Sequence, residues 1–304
     1  MKATRRTEAR EQGGFERLRR GRFLRSLVLI AGVLWPGAQS LAARVAETVH
    51  FRSGDGQTEL IGYVFRPDGP GPYPAVVMLH GRGGAYSSLA SGVYNADTLS
   101  KRHKFWGEFW AGEGYIALLV DSFGPRGYWQ GFPKSSYDER PSAVSEQTVR
   151  PLDAYGALAY LRKRTDVVRD RIGLQGWSNG AMTALVTMSS HAPGVSNPSS
   201  ASAFRAALAF YPGCGMEAIQ SSYLPYAPVQ MFVGTDDAEV SSKRCVTWEK
   251  GVQAAGGSIE LTAYEGAQHD FDDPSASRQR NESNAAATRD AVRRAEEFFG
   301  RNLK

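Results

Sequence analysis

Residues Gly176-Trp177-Ser178-Asn179-Gly180 read G-x-S-x-G, a pattern that can hold a serine nucleophile on a tight turn. By chance alone the composition would give roughly 0.3 such strings, so context must carry the reading. An apolar run, Ile172–Gly176, precedes the serine, and an apolar segment, Ala181–Met188, follows it. A strand that turns straight into a helix strains the serine backbone and lifts Oγ clear of the sheet. The helix N-terminus adds a positive field beside it.

A serine hydroxyl needs a base near neutral pH. Only His191 and His269 follow Ser178. His191 stands at the far end of the helix that Ser178 opens, about 20 Å away, and cannot reach back. His269, in Gly266-Ala267-Gln268-His269-Asp270-Phe271, follows the last apolar run and is the expected base. The acid that orients the imidazole is expected in Gly234-Thr235-Asp236-Asp237. Spacing favours Asp237, with Asp236 as the alternative. The oxyanion needs two preorganised N–H donors. The main chain of Asn179 offers one. The glycine-rich loop His80-Gly81-Arg82-Gly83-Gly84 offers the other, at Arg82 with Gly83 second. His80 is expected to brace that loop. Asp270, Asp272 and Asp273 stand near His269, but no second His or Cys has ligand spacing, so neither metal nor other cofactor is expected.

These segments need a frame. Apolar runs recur at Glu47–Arg52, Glu59–Phe65, Ala75–His80, Tyr115–Asp121, Ile172–Gly176, Ala206–Tyr211, Val229–Gly234 and Ile259–Tyr264. The middle runs do not alternate, which fits strands covered on both faces of a parallel sheet. The first two are more mixed and read as an antiparallel edge hairpin. Helical patterns lie at Leu99–Gly112, Gln147–Arg164, Asn179–Ser189, Ser241–Ala255 and Asn284–Phe299, the last with Gly300 as its expected stop. Strands alternating with helices predict an α/β fold: a mostly parallel eight-stranded sheet with helices on both faces. Ligands of such sheets gather at the carboxyl ends of the strands, where all the residues singled out above would fall.

Composition is that of a globular protein, 42% hydrophobic and 22% charged, which excludes a largely disordered or polytopic membrane chain. The formal net charge is +5. Residues 1–25 hold nine Lys or Arg against three acids, so the remainder is −1 and the body gives no reason to expect a nucleic-acid partner. Residues 26–43 carry no charge, are broken by Pro36-Gly37 and end in small residues. A basic stretch, a short apolar stretch and a small-residue exit describe a signal peptide over 1–43. The expectation is an exported, periplasmic or secreted protein, with residues 44–304 as one catalytic domain and no stable membrane span after cleavage. Two cysteines, Cys214 and Cys245, in an exported chain suggest one disulfide, against the alternative of two buried thiols.

With these segments in order the chain resembles the α/β-hydrolase superfamily, and more narrowly the dienelactone hydrolase family. The resembling stretches are His80–Gly84, Gly114–Gly127, Arg150–Leu158, Arg171–Gly180 and Gly266–His269. Dienelactone hydrolases proper carry a Cys at the turn, whereas this chain has Ser178. The resemblance therefore implies hydrolysis of a small-molecule carboxylic ester or lactone through an acyl-serine, rather than of a dienelactone. It also implies that Cys214 and Cys245 follow adjacent strands near the edge of the site, which favours their pairing. A thioesterase or peptidase with the same triad, and a non-catalytic ligand-binding relative, are the competing expectations. Phe123, Tyr128, Trp129, Phe132 and Tyr137 crowd the loop after Asp121, as a packed cap or as a pocket lining. Arg126, Trp129 and Trp177 are the candidate substrate-binding residues, Arg126 through a substrate carboxylate or else as a brace for its own loop.

Overall fold

The computed structural model describes residues 46–220 and 222–304. The expected leader, 1–43, lies outside the described residues. Eight strands form one sheet: β1 (Glu47–Arg52), β2 (Glu59–Phe65), β3 (Tyr73–Leu79), β4 (Ile116–Asp121), β5 (Val167–Trp177), β6 (Ala207–Phe210), β7 (Val229–Gly234) and β8 (Ile259–Tyr264). Their order is β1-β2-β4-β3-β5-β6-β7-β8. The β1–β2 and β2–β4 pairs are antiparallel, and every other neighbouring pair is parallel. This is the mostly parallel eight-stranded sheet that the sequence predicts, with its antiparallel hairpin at one edge.

Helices cover both faces. On one side α1 (Lys101–Gly112) and α6 (Glu282–Leu303), the latter preceded by the short α5 (Ala276–Gln279), bring Trp106, Trp110, Phe298 and Phe299 onto the sheet. On the other, α2 (Arg150–Lys163), α3 (Asn179–Met188) and α4 (Ser242–Ala254) bring Leu158, Leu161, Leu185 and Val252. Helix α3 is buried along its whole length, as its nearly continuous apolar sequence requires. Ser100, Ser241 and Asn281 cap α1, α4 and α6 with side-chain oxygens. Among the described residues no helix is long and apolar enough to cross a membrane. Cys214 and Cys245 form a disulfide that ties the loop after β6 to α4.

The two largest departures from the expected boundaries lie in β5 and α6. Strand β5 begins at Val167, ahead of the apolar run, because Val167 pairs with Tyr73 before the register shifts into the core. Helix α6 runs through Gly300, with no neighbour where a Cβ would stand, and ends at Leu303. Leu303 is buried against Gly173, and that contact extends the helix past the expected stop.

Candidate active site

The parallel arrangement sends the loops after β3, β5, β7 and β8 to one rim of the sheet. Ser178 sits between β5 and α3 at φ 50° and ψ −113°, a left-handed conformation that costs a β-carbon-bearing residue about 1–3 kcal/mol. Its N–H donates to Phe210 O at 2.9 Å, which anchors the turn to β6. The flanking glycines permit the turn to close. A Cβ on Gly176 would lie 2.2 Å from Gly180 O, and one on Gly180 would lie 2.0 Å from Leu79 O. Both obstacles are backbone atoms, so no side chain can swing aside.

His269, in the loop after β8, places Nε2 3.0 Å from Ser178 Oγ. Its Nδ1 lies 2.7 Å from Asp237 Oδ2. The other oxygen of Asp237 accepts the N–H groups of Glu239 at 2.7 Å and Val240 at 3.0 Å. These bonds aim the buried carboxylate at the imidazole. Asp236 is exposed and spends its N–H on Ala267 O, so Asp237 is the aspartate that meets His269. The structure thus brings Ser178, His269 and Asp237 together from three distant segments.

Gly81 passes close to the serine: an added Cβ there would be 3.5 Å from Ser178 Cβ. This brings the main chain of Arg82 beside the nucleophile. Arg82 O accepts from Phe132 N–H at 2.8 Å, which pins the loop. His80 is buried, with Nδ1 at 2.8 Å from Gly81 O and Nε2 accepting from Ser122 N–H at 3.2 Å. Burial, aided by the charge of Arg150, holds it neutral well below the ordinary histidine range. The N–H of Asn179 opens α3, where a helix supplies no carbonyl for it. The Asn179 side chain accepts from Arg150 Nη1 and donates to Glu146 Oε2 at 3.0 Å. Arg150 also donates to His80 O at 2.8 Å, and desolvation brings it down to about 10. One buried guanidinium therefore ties the loop after β3 to the start of α3.

Sequence reasoning missed a charged bridge over this rim. Arg82 Nε and Nη2 donate to the two oxygens of Glu239 at 3.1 Å and 3.2 Å. Burial by itself would raise the Glu239 carboxyl, but the hydrogen bond from Arg82, with the nearby His269 and the Arg82 charge, outweighs it and holds it low. Glu239 stands two residues after Asp237, the one local hint available. Donor atoms of Glu239, His269 and Asp270 lie within 4.8 Å of one another. Each already has a partner, in Arg82, the Ser178–Asp237 pair and Arg102 respectively.

Two chambers share Ser178 and Arg82. The larger, about 790 Å³, runs under Tyr86, Tyr94 and Trp129. The smaller, about 390 Å³, lies between Tyr137, Met182 and the disulfide loop at Cys214. Arg140 and Arg244 line the smaller chamber without an ion pair among the described residues. Of the candidate substrate-binding residues only Trp129 lines a chamber. Arg126 makes two bonds to Asp153, at 2.8 Å and 2.9 Å, and one to Ser122 O. Asp153 is fully buried and needs that cation, so Arg126 braces its loop against α2. Trp177 is fully buried and donates its indole N–H to Asp272 at 2.8 Å, which turns it into the core. The aromatic loop divides between the two expectations: Trp129, Phe132 and Tyr137 line chambers, while Phe123 packs on His80 and Phe132.

A family model described as the dienelactone hydrolase family matches residues 60–303. Among solved structures, a Klebsiella pneumoniae protein assigned as a dienelactone hydrolase is similar with a TM-score of 0.60 at 19% identity, over 84% of this chain and 99% of that one. A thermophilic esterase from Thermogutta terrifontis, solved with propionate bound, gives 0.59 at 19% identity, over 86% and 95%. A dienelactone hydrolase-like promiscuous phosphotriesterase from metagenomic libraries gives 0.61 at 18% identity, over 85% and 98%. At such identities the structural likenesses speak to the fold.

Proposed function

The chain belongs to the dienelactone hydrolase family and is a hydrolase acting on ester bonds; from that premise we propose that it cleaves a carboxylic ester of a small molecule through an acyl-serine on Ser178. The observation that carries this reading is the hydrogen-bonded run from Asp237 through His269 to Ser178, at 2.7 Å and 3.0 Å. Ser178 Oγ attacks the carbonyl carbon as its proton passes to His269 Nε2. Asp237 holds the ring in the tautomer that leaves Nε2 free to accept, and stabilises the cation that forms. The main-chain N–H groups of Asn179 and Arg82 receive the oxyanion. His269 then protonates the leaving alkoxide, and the C–O bond to the alcohol breaks. Water attacks the acyl-serine with His269 again as base, which releases the acid and restores Ser178.

The test pairs a fluorophosphonate probe with turnover of p-nitrophenyl acetate. Wild-type protein should be labelled on Ser178 and should hydrolyse the ester. Ser178→Ala should lose at least about 10⁴-fold in kcat with its circular dichroism unchanged. A folded Ser178→Ala protein that keeps wild-type turnover would refute the reading. The Cys214–Cys245 disulfide and the basic-then-apolar segment 1–43 support an exported protein, checked by the mass of the mature N-terminus from cells.

A further inference from the structure

Asp272 is fully buried, stands three residues after His269 and takes no part in the reaction described above. Both of its oxygens have partners. Oδ2 accepts the indole N–H groups of Trp106 and Trp177, each at 2.8 Å. Oδ1 accepts the Tyr211 hydroxyl at 2.5 Å, with Arg102 Nε at 3.4 Å. Two of these partners adjoin the reacting groups. Trp177 is the residue before Ser178. Tyr211 packs on the His269 imidazole, with ring centroids 4.6 Å apart and planes at 57°. Tyr211 is fully buried and lines neither chamber, so it cannot touch a bound ester. The fold fixes it tightly all the same. It follows β6 at φ 41°, in the left-handed region, and its N–H donates to Phe232 O at 2.6 Å. A residue with a β-carbon keeps such a backbone only where its surroundings over-determine it. Burial pushes the Tyr211 phenol well above the ordinary tyrosine range, so the hydroxyl stays protonated and donates.

The imidazole of His269 is held in its own plane, by Asp237 at Nδ1 and Ser178 at Nε2. Two in-plane bonds do little to stop a ring tilting, whereas a second ring packed against it does. We propose that Asp272 and Tyr211 are positioning residues for His269: the carboxylate fixes the Tyr211 hydroxyl, and the Tyr211 ring keeps Nε2 in line with Ser178 Oγ. Through Trp177 the same carboxylate braces the strand end that presents Ser178. Nucleophile and base, 91 residues apart in the chain, thus rest on one buried side chain. A misplacement of about 1 Å between such groups can cost about 10²-fold in rate, so loss of this support falls on kcat. This inference rests on the serine-ester reading above.

The experiment measures kcat and KM for p-nitrophenyl acetate on the full chain, well below the unfolding midpoint of each variant. Tyr211→Phe keeps the ring but frees it from Asp272, and should lower kcat about fivefold or more with KM within about twofold. Tyr211→Leu also removes the flat ring and should lower kcat about 50-fold or more, so that Phe restores part of what Leu loses. Leu303→Ala is the control, a buried truncation near the amino ends of the strands, where Lys304 reaches Glu113 O ahead of β4. It should lower the midpoint and leave kcat within about twofold. Folded Tyr211 variants that keep wild-type kcat overturn the inference, as does a loss carried by KM alone. An equal loss of kcat in Leu303→Ala overturns it too, since the effect would then follow stability and not position. If one Tyr211 variant does not fold, the other decides. In each of these cases the serine-ester reading stands, because wild-type turnover and labelling of Ser178 test it separately. Wild-type protein that shows neither removes both.

Discussion

At the residue scale, the site turns on which of two adjacent carboxylates meets His269. The Asp237 carboxylate is buried and fixed by two main-chain N–H groups, whereas Asp236 is exposed. Asp237→Asn should therefore lower kcat by roughly 10⁴-fold by favouring the wrong imidazole tautomer. Asp236→Asn should stay within about twofold, and p-nitrophenyl acetate kinetics on both variants read the difference. Similar losses in the two variants would break the assignment. A second residue-scale effect concerns stability. Burial, helped by Arg102 and opposed by Ala85 O, Asp273 and Asp270, brings His103 down to about 4. In the unfolded chain it titrates near 6.5, so between these values the unfolded state binds the extra proton. Stability contributed here is present above pH 6.5 and is lost as pH falls. His80 acts in the same direction, while the raised carboxyls of Asp121 and Asp272 act in the opposite one. Comparison with His103→Phe isolates the single group. Between pH 7 and pH 5 the wild type should lose about 2 kcal/mol more than the variant in urea unfolding. A gap between the two that does not change with pH would refute the argument.

At the element scale, the turn between β5 and α3 is where the sheet is least tolerant. Gly180→Ala drives a Cβ into Leu79 O, so it should destabilise by more than about 3 kcal/mol or abolish soluble protein. Gly251→Ala is the contrast, since it lies exposed inside α4 with nothing near the new atom. That change should stabilise by about 0.5–1 kcal/mol, the helix propensity gain alone. Thermal unfolding of the two variants measures both. The same scale shows what the sequence could reveal. Each strand overlapped an apolar run, and the central ones β4, β6 and β7 stood out because strands buried on both faces must be apolar throughout. Ser178, Asp237 and His269 were legible because chain order and strand ends restrict the candidates to a few. The bridge from Arg82 to Glu239 and the brace from Arg126 to Asp153 were not. Their partners lie 157 and 27 residues apart, and no local pattern says which carboxylate a guanidinium will find. Trp177 shows the same limit, since its indole turns to Asp272 from a strand end that could face either way.

At the scale of the whole molecule, the disulfide is the only covalent tie across the fold among the described residues, and its position matters more than its presence. The segment between Cys214 and Cys245 contains β7 and Asp237. Strand β7 is held on both sides, by β6 and β8, so the sheet alone can keep it in place in the native state. The tie therefore acts mainly on the unfolded chain, where it removes the freedom of a loop with a sequence separation of 31. Chain entropy puts that at roughly 3.7 kcal/mol. For a protein of this size each kcal/mol moves the midpoint by about 2–4 °C. Cys214→Ala with Cys245→Ala should therefore lower Tm by roughly 10 °C. Well below the midpoint, p-nitrophenyl acetate turnover should stay within a few-fold of wild type. A large loss of turnover in the cold, with Tm preserved, would mean that the tie shapes the native position of Asp237 and the wall of the smaller chamber. The entropic account would then fail, because a constraint on the unfolded chain cannot alter catalysis in protein that is fully folded.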